Sequence, residues 1–469
     1  MTEKKIELKI FNSKTRKLEK FIPINRDNIT MYVCGPTVYD RPHLGNVRSA
    51  VIYDILGRFL QSLYGSLTYV RNITDIDDKI IAAATGNKIA ITDLTKSMIE
   101  YYHTDIGELG CLPPTNEPKA TDHLPDILRM IDRLIANGNA YISEEHVLFD
   151  VSTYKDYGKL SNRTLDEMVA GSRIEIASYK KNDMDFVLWK PVDTKSGNSV
   201  PKGSAFESPW GLGRPGWHIE CSAMSTAILG DNFDIHGGGV DLIFPHHENE
   251  VAQSCCANPE SKFANYWIHN GFLTVNGQKM SKSLNNFYTV HQVIANDISG
   301  MALRYFYLTT HYRKPIDYST TAIQVAKNAI AKFAKTLQTI DNSLITKLCD
   351  GFYDSFSNRV GEIMPHCNEY THKAMELLAN DLNTASVLAY LHQLNSEITN
   401  DQQQNPKIDE NSQQKFKQHQ FITTLKLIGL DPIKLLNLEP TDLDEAIPEE
   451  AKLLANQRNH ARKQNEECL

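Results

Sequence analysis

The segment Lys279-Met280-Ser281-Lys282-Ser283 sets two ammonium groups and two hydroxyls around a methionine, just after the strand-like Phe272-Leu273-Thr274-Val275 and the turn Asn276-Gly277. Two cations on a hydroxyl-rich loop suit a polyphosphate whose charge redistributes during reaction. By itself this is only a basic loop. Far upstream, Ile29-Thr30-Met31-Tyr32-Val33-Cys34-Gly35 reads as a strand that breaks at Gly35-Pro36, and His43-Leu44-Gly45-Asn46 opens a helical pattern from Val47 to Tyr64. A strand, a turn, a glycine where backbone can approach a ligand, and a helix N-terminus whose free N–H groups favour anions together describe a nucleotide site.

A third set has the chemistry of metal ligands. In Pro245-His246-His247-Glu248-Asn249-Glu250, His246 and Glu250 stand four residues apart on a helix expected to begin there, with proline in its first turn, so both project from one face. His247 is turned from His246 by about 100° on such a helix and is expected to support the site rather than join it. Cys34 ends the first strand, and Cys221 closes Gly216-Trp217-His218-Ile219-Glu220-Cys221. Two thiolates, an imidazole and a carboxylate suit zinc better than magnesium or calcium, which prefer all-oxygen shells. Residue types alone favour a blander reading, with both cysteines as buried small hydrophobes and His246 as a satisfied polar group. The same holds for Cys255, Cys256, Cys111, Cys349 and Cys367.

These residues need a scaffold that brings them to one place. The first hundred residues alternate strand, helix, strand, with Leu67-Thr68-Tyr69-Val70-Arg71 as the second strand and a further helix from about Ile76. Such alternation implies a parallel sheet whose ligand crevice lies beyond the strand C-termini, where Cys34 and His43 both fall. From Cys111 to about Trp210 the pattern changes to prolines, a helix from about Pro118 to Asn137, and short strands at Ala140-Tyr141-Ile142 and Phe186-Val187-Leu188-Trp189. This reads as an insertion. Beyond Gly300 helical periodicity dominates, at Ala322 to Leu337, Glu369 to Leu378, Thr384 to Ile398 and Phe416 to Leu427, with Asn400 to Gln414 as a linker. At 469 residues and 41% hydrophobic content the chain exceeds one ordinary core. A net charge of -8 argues against coating nucleic acid by bulk electrostatics, though Arg458, Arg462 and Lys463 form a local basic patch. No apolar run approaches a membrane span, the first residues lack a signal-peptide core, and eight irregularly spaced cysteines suit reduced thiols, so a cytoplasmic location is expected.

The pair His43-Leu44-Gly45-Asn46 and Lys279-Met280-Ser281-Lys282-Ser283 resembles the two signature motifs of class I aminoacyl-tRNA synthetases, His-Ile-Gly-His and Lys-Met-Ser-Lys-Ser; the first departs at Leu44 and Asn46. The stretches from Cys34 to Asp40, Val70 to Lys79, Gly213 to Met224 and His236 to Glu250 resemble the cysteinyl-tRNA synthetases, and the likeness runs from the N-terminus to about Leu391. That resemblance implies an α/β fold, a Rossmann-like parallel-sheet catalytic domain with a connective insertion, followed by an α-helical bundle. It implies a catalytic domain in two halves, 1–110 and 210–265, around an insertion at 111–209. A stem-contact region would follow at 266–315, a tRNA-binding bundle at 316–400, and a linker with a partial anticodon-side region at 401–469.

By the same resemblance Cys34, Cys221, His246 and Glu250 are the ligands of one zinc ion per chain. Thr37 and Trp217 line the amino-acid pocket, Asp241 faces the α-amino group, and a turn at Gly237-Gly238-Gly239 passes under the adenosine. ATP is held by His43, Gly45, Asn46, Lys279 and Lys282, with His43, Lys279 and Lys282 catalytic and magnesium accompanying the nucleotide. The implied activity joins L-cysteine to tRNA(Cys) through an adenylate, in a monomer without membrane attachment, with zinc selecting the substrate thiolate. Two other functions share parts of this pattern: a ligase that joins cysteine to an amino sugar, and a non-catalytic zinc protein.

Overall fold

A computed structural model describes residues 6–164, 177–192, 200–281, 284, 286–350, 356, 367–404 and 413–438. Four strands form the central sheet in the spatial order Phe263–Asn270, Asn232–Gly239, Ile29–Val33, Leu67–Arg71, and every neighbouring pair is parallel. The helix Leu44–Tyr64 joins the two strands of the first half, and Glu248–Ala257 joins those of the second. Winding therefore runs outward in both directions from the seam between Ile29–Val33 and Asn232–Gly239. At such a seam the loops leaving the two strands diverge and open a crevice beyond their C-terminal ends.

The helix Leu44–Tyr64 is buried nearly all round, with Val47, Val51, Ile52, Tyr53, Ile55, Leu56, Phe59 and Leu60 in the core beside the buried polar Arg48, Asp54 and Arg58. A helix of that kind belongs inside a core, and this one joins the sheet to the helices after Gly300 in one continuous apolar cluster. It ends at Gly65, whose φ of 85° suits a left-handed C-cap.

Between the second and third parallel strands the chain builds a helix, Leu124–Ala136, and an antiparallel sheet of Ala140–Ser143, His146–Phe149, Phe186–Pro191 and Gly213–Pro215. The core beneath this sheet includes Ile131, Phe149, Leu188 and Trp189, and it packs on Ile219, Ala223 and Ala252, from the helices that carry Cys221 and Glu250. The helix expected from about Pro118 starts later because 116–118 are held extended beside the second strand: Arg71 N donates to Asn116 O (3.1 Å) and Ile73 N to Pro118 O (2.8 Å).

After Gly300 come the helices Gly300–Leu308, Thr320–Leu337, Asn342–Asp350, Cys367–Leu378, Thr384–Gln404, Gln413–Leu427 and Pro432–Leu436. The helix from Thr384 continues into the expected linker, where Lys417 Nζ reaches Glu397 (3.1 Å) and Asp401 (2.9 Å) and holds its last turns; 405–412 lie outside the described residues, as does the basic patch near Arg458. Among the described residues no helix is long and apolar enough to cross a membrane.

Candidate active site

The metal-ligand set converges from three segments at the C-terminal edge of the sheet. Cys34 follows the strand Ile29–Val33 and its N–H donates to Gly237 O (3.1 Å), across the seam. Cys221 lies in the buried helix Trp217–Leu229. His246 belongs to a segment that is not the regular helix expected from Pro245: Phe244 is extended (φ −139°, ψ 132°), the Phe244-Pro245 peptide is cis, and the α-helix begins at Glu248. The i, i+4 pairing nevertheless forms, with His246 Nε2 3.0 Å from Glu250 Oε1.

One donor atom each from Cys34, Cys221, His246 and Glu250 lies within 4.8 Å of every other. The sulfurs are 3.8 Å apart, and Cys34 Sγ is 3.4 Å from Glu250 Oε1. Two thiolates about 2.3 Å from one tetrahedral zinc would sit about 3.8 Å apart, so the donor set fits that ion in both chemistry and spacing.

Charge is shared unevenly over the four. Burial pushes the Cys34 thiol well up, whereas Cys221, accepting from Cys34, is drawn down to about 6 against the opposing effect of burial. Glu250 is held at about 2: burial would raise it, but His236 and His246 outweigh that. His246 rises to about 10, since Glu250 and Cys221 overcome its burial.

Further histidines surround this centre. His236 Nε2 bonds Glu250 Oε2 (2.8 Å) and its ring stacks on Trp267 at 4.5 Å; with Cys34, His247 and Glu250 it forms a second, overlapping group of potential donors. His218 Nδ1 is 2.9 Å from His246 Nδ1, and burial, then the neighbouring His246, hold it down to about 3. His247 Nδ1 pairs with His269 Nε2 (2.8 Å). Trp217 stacks on His246 with ring centroids 4.2 Å apart and stays 38% exposed, so one face covers the imidazole and the remainder borders solvent. Thr37 bridges to Thr74, whose hydroxyl donates to the buried Glu220 (3.3 Å). Asp241 is exposed just beyond the glycine strand.

Gly237, Gly238 and Gly239 are not a turn. They end the strand Asn232–Gly239 and pair with Ile268, His269 and Asn270. A Cβ on Gly237 would come within 2.3 Å of the Tyr53 ring, whose hydroxyl accepts from Gly238 N (2.6 Å) and donates to Ile268 O (2.6 Å). The glycine run lets the central helix approach the sheet closely; its spacing in the sequence resembles a turn because glycine serves both purposes.

The first signature motif meets the segment that follows the second. Asn276 (φ 49°) and Gly277 (φ 75°) make the tight turn of a hairpin in which Thr274 pairs with Lys279. The chain then returns so that Leu44 N donates to Tyr288 O (3.1 Å), Val290 N donates to Pro42 O (3.2 Å), and Phe287 packs edge-on against the His43 ring at 5.1 Å. Asn286 holds the intervening loop, accepting from Ser281 N (2.8 Å) and donating to Lys279 O (3.2 Å). Lys279 is exposed; Lys282 lies outside the described residues.

Contrary to the expectation of free N–H groups at the helix start, His43 is itself the N-cap: its Nδ1 accepts from Gly45 N (3.1 Å) and Asn46 N (3.4 Å). Assigned from this network, the neutral ring carries its proton on Nε2. Asn46 completes the capping box, its Oδ1 accepting from His43 N (3.4 Å), which leaves its amide nitrogen as a donor. Arg48, one turn on, is fully buried and donates to Gly271 O (2.7 Å), Phe272 O (2.6 Å), Tyr312 O (3.2 Å) and Lys314 O (2.6 Å). It ties the first motif's helix to the base of the lysine hairpin. A lone arginine in a helical pattern is ordinarily a surface residue, so nothing in the sequence singles out Arg48.

Residues 20–328 match the family model described as tRNA synthetases class I (C) catalytic domain. The chain is 48% identical over 393 residues to the cysteine–tRNA ligase of Ruegeria pomeroyi, covering 83% of this chain and 78% of that protein. It is 52% identical over 338 residues to the cysteine–tRNA ligase of Rickettsia felis, covering 72% and 73%. The chain belongs to the cysteine–tRNA ligase family. Its fold is similar to that of Mycobacterium tuberculosis methionyl-tRNA synthetase in complex with methionyl-adenylate, with a TM-score of 0.56 at 16% identity over 93% of this chain and 96% of that one. At that identity the likeness speaks to fold alone, and it gives the class I architecture to both.

Proposed function

We propose that this chain is a cysteine–tRNA ligase that forms cysteinyl-adenylate from L-cysteine and ATP and passes the cysteinyl group to tRNA(Cys), with Cys34, Cys221, His246 and Glu250 holding one zinc ion. The observation that carries the reading is the 3.8 Å approach of two thiols from segments 187 residues apart, closed by His246 and Glu250, with Trp217 stacked on His246. When bound there, the ion supplies a soft Lewis acid that a cysteine thiolate satisfies and a serine hydroxyl does not. Shape alone would separate the two by only about 1–3 kcal/mol.

In this reading the chain's own groups orient the substrates and absorb charge. Trp217 and Thr37 border the side-chain pocket, and Asp241 receives the α-ammonium group. The cysteine carboxylate then attacks the α-phosphate of ATP. His43 donates its Nε2–H toward phosphate, Asn46 offers its amide, Gly45 leaves room for the nucleotide, and the strand end at Gly237, Gly238 and Gly239 lies under the adenosine with its backbone. Lys279 and Lys282 meet the charge that develops on the departing pyrophosphate, and magnesium accompanies ATP. The division of labour assigns 1–110 and 210–265 to catalysis, 111–209 to the insertion, 266–315 to stem contact, 316–400 to tRNA binding and 401–469 to a linker and anticodon-side region, with two bounds shifted to element ends: the insertion sheet runs on through Gly213–Pro215 and the catalytic sheet through the strand Phe263–Asn270. The working form is taken to be a cytoplasmic monomer.

The test is cysteine-dependent ATP–pyrophosphate exchange, followed by transfer to tRNA and to an amino-sugar acceptor in parallel. Exchange with cysteine, rejection of serine by about 10⁴-fold or more, and transfer to tRNA alone are expected. Transfer to the amino sugar instead, or no exchange at all, would overturn the assignment.

A further inference from the structure

The loop from Cys34 to His43 carries the first metal ligand at one end and the phosphate-facing histidine at the other. Backbone bonds pin it near both ends: Val38 N donates to Thr74 O (3.1 Å) and Thr74 N to Pro36 O (3.1 Å), while Val290 N donates to Pro42 O (3.2 Å). Between these anchors Arg41 reaches the helix Ile91–Glu108, where its guanidinium lies 3.7 Å from the centroid of the Tyr101 ring and 3.8 Å from Asp105 Oδ1.

Asp105 is an unusual residue to find there. It is only 3% exposed, and its second oxygen, Oδ2, is buried without a hydrogen-bond partner among the described residues. An ionised carboxylate with an orphaned oxygen is a poor stabilising device, because desolvation is not recovered by good contacts. Its ion pair is also longer than a hydrogen bond and involves a partly exposed arginine, so it contributes little on its own. The helix Ile91–Glu108 already buries Ile91, Leu94, Tyr102 and Ile106 and has no need of this carboxylate for packing.

We propose that Asp105 is a positioning residue for the adenylation step, acting through Arg41 to hold the loop that delivers His43 to the nucleotide. The inference rests on the reading that His43 meets phosphate. Phosphoryl-type chemistry depends chiefly on placement, so a small slackening of this loop is felt in rate rather than in fold.

The groups that face the Asp105 carboxyl are Arg41 on the loop, His291 on the helix Val290–Ala295 and Glu108 on its own helix. Burial raises it to about 6, with Arg41 and His291 opposing and Glu108 adding. A carboxyl raised in this way contributes stability that is complete below its ordinary value of 3.8 and is lost as pH rises through about 6. At neutral pH the charge therefore acts against the fold while serving the loop.

Asp105→Asn separates the two. In ATP–pyrophosphate exchange above pH 7 the variant is expected to lose roughly 2–5-fold in kcat with the KM for cysteine held within about 1.5-fold. It should also lack the fall in rate that wild type shows as pH drops through about 6, and melt about 1–3 °C higher at pH 7.5. Arg41→Lys should retain most of the rate and Arg41→Met should not, and the double variant Asp105→Asn/Arg41→Met should be no slower than Arg41→Met. Wild-type rate with an unchanged acid limb in Asp105→Asn, or additive losses in the double variant, overturns the proposal. His43→Ala is measured alongside: if exchange survives it, the reading of His43 fails whatever the other variants do. If His43→Ala abolishes exchange and Asp105→Asn does not slow it, only the positioning role falls.

Discussion

Cys221 sits fully buried between Cys34 and His246, its thiol drawn down to about 6 by the hydrogen bond from Cys34 against the effect of burial. Replacing that sulfur with a hydroxyl keeps the volume and removes the soft donor, so Cys221→Ser is expected to bind zinc at least about 10-fold more weakly. Recognition of cysteine should weaken in step, with ATP affinity little changed. The check is metal content by elemental analysis beside the KM for each substrate, and with cobalt in the site wild type should gain a sulfur-to-metal charge-transfer band on adding cysteine but not serine. Full metal content and unchanged cysteine KM in the variant would remove Cys221 from the ligand set. His236 stands in the sequence as the residue before the glycine run, but its link to Glu250 crosses from a strand to a helix and has no local signal.

At the scale of elements, the helix Leu44–Tyr64 organises the crevice. Its first turn is capped by His43, its buried Arg48 holds four carbonyls of the segments flanking the lysine hairpin, and its Tyr53 fits against Gly237. Burial draws the Arg48 guanidinium down to about 10, a measure of how fully it has left water in exchange for those bonds. Arg48→Met fills the space yet leaves the carbonyls of Gly271, Phe272, Tyr312 and Lys314 without this donor. The expected cost is roughly 2–4 kcal/mol in urea unfolding, together with a loss of adenylation rate as the hairpin bearing Lys279 drifts from His43. A change under about 0.5 kcal/mol with full activity would mean that the hairpin is placed by its own turn and sheet.

Across the whole molecule, one buried cluster joins the catalytic sheet to the helices beyond Gly300. Arg304 donates to Ile428 O (2.8 Å), Leu109 O (3.0 Å) and Asp54 Oδ2, while Arg58 donates to Asp54 (2.8 Å) and Gly110 O (2.8 Å). Burial alone would raise the Asp54 carboxyl, but Arg58 and Arg304 outweigh it and hold the group below its ordinary value of 3.8. A carboxylate depressed in this way contributes stability that is present above that value and is lost as pH falls below it through the folded value. Asp54→Asn leaves two buried guanidiniums short of charge and is expected to cost about 3–5 kcal/mol at pH 7, with the gap to wild type closing in strongly acid solution. Denaturant unfolding at several pH values reads both effects; a gap that stays constant with pH would show that Asp54 acts through packing and not through its charge.

Much of this protein is legible in local pattern. The strands at Ile29–Val33 and Leu67–Arg71, the helix between them, the Asn276-Gly277 hairpin turn and the helices after Gly300 follow from periodicity and turn chemistry, which depend on neighbours within a few residues. The motifs at His43 and Lys279 and the four ligand types are likewise visible, because their chemistry resides in side-chain identity. What residue types alone left open was whether Cys34 and Cys221 are inert or paired, and that depends on contacts across 187 positions. Tertiary structure decided it by closing a parallel sheet whose seam brings separate loops to one edge. It also decided that His43 caps its own helix, that three glycines form a strand against Tyr53 and not a turn, and that Arg48 is buried. Each outcome turns on what packs against the residue, and packing partners distant in sequence leave no trace in a local pattern.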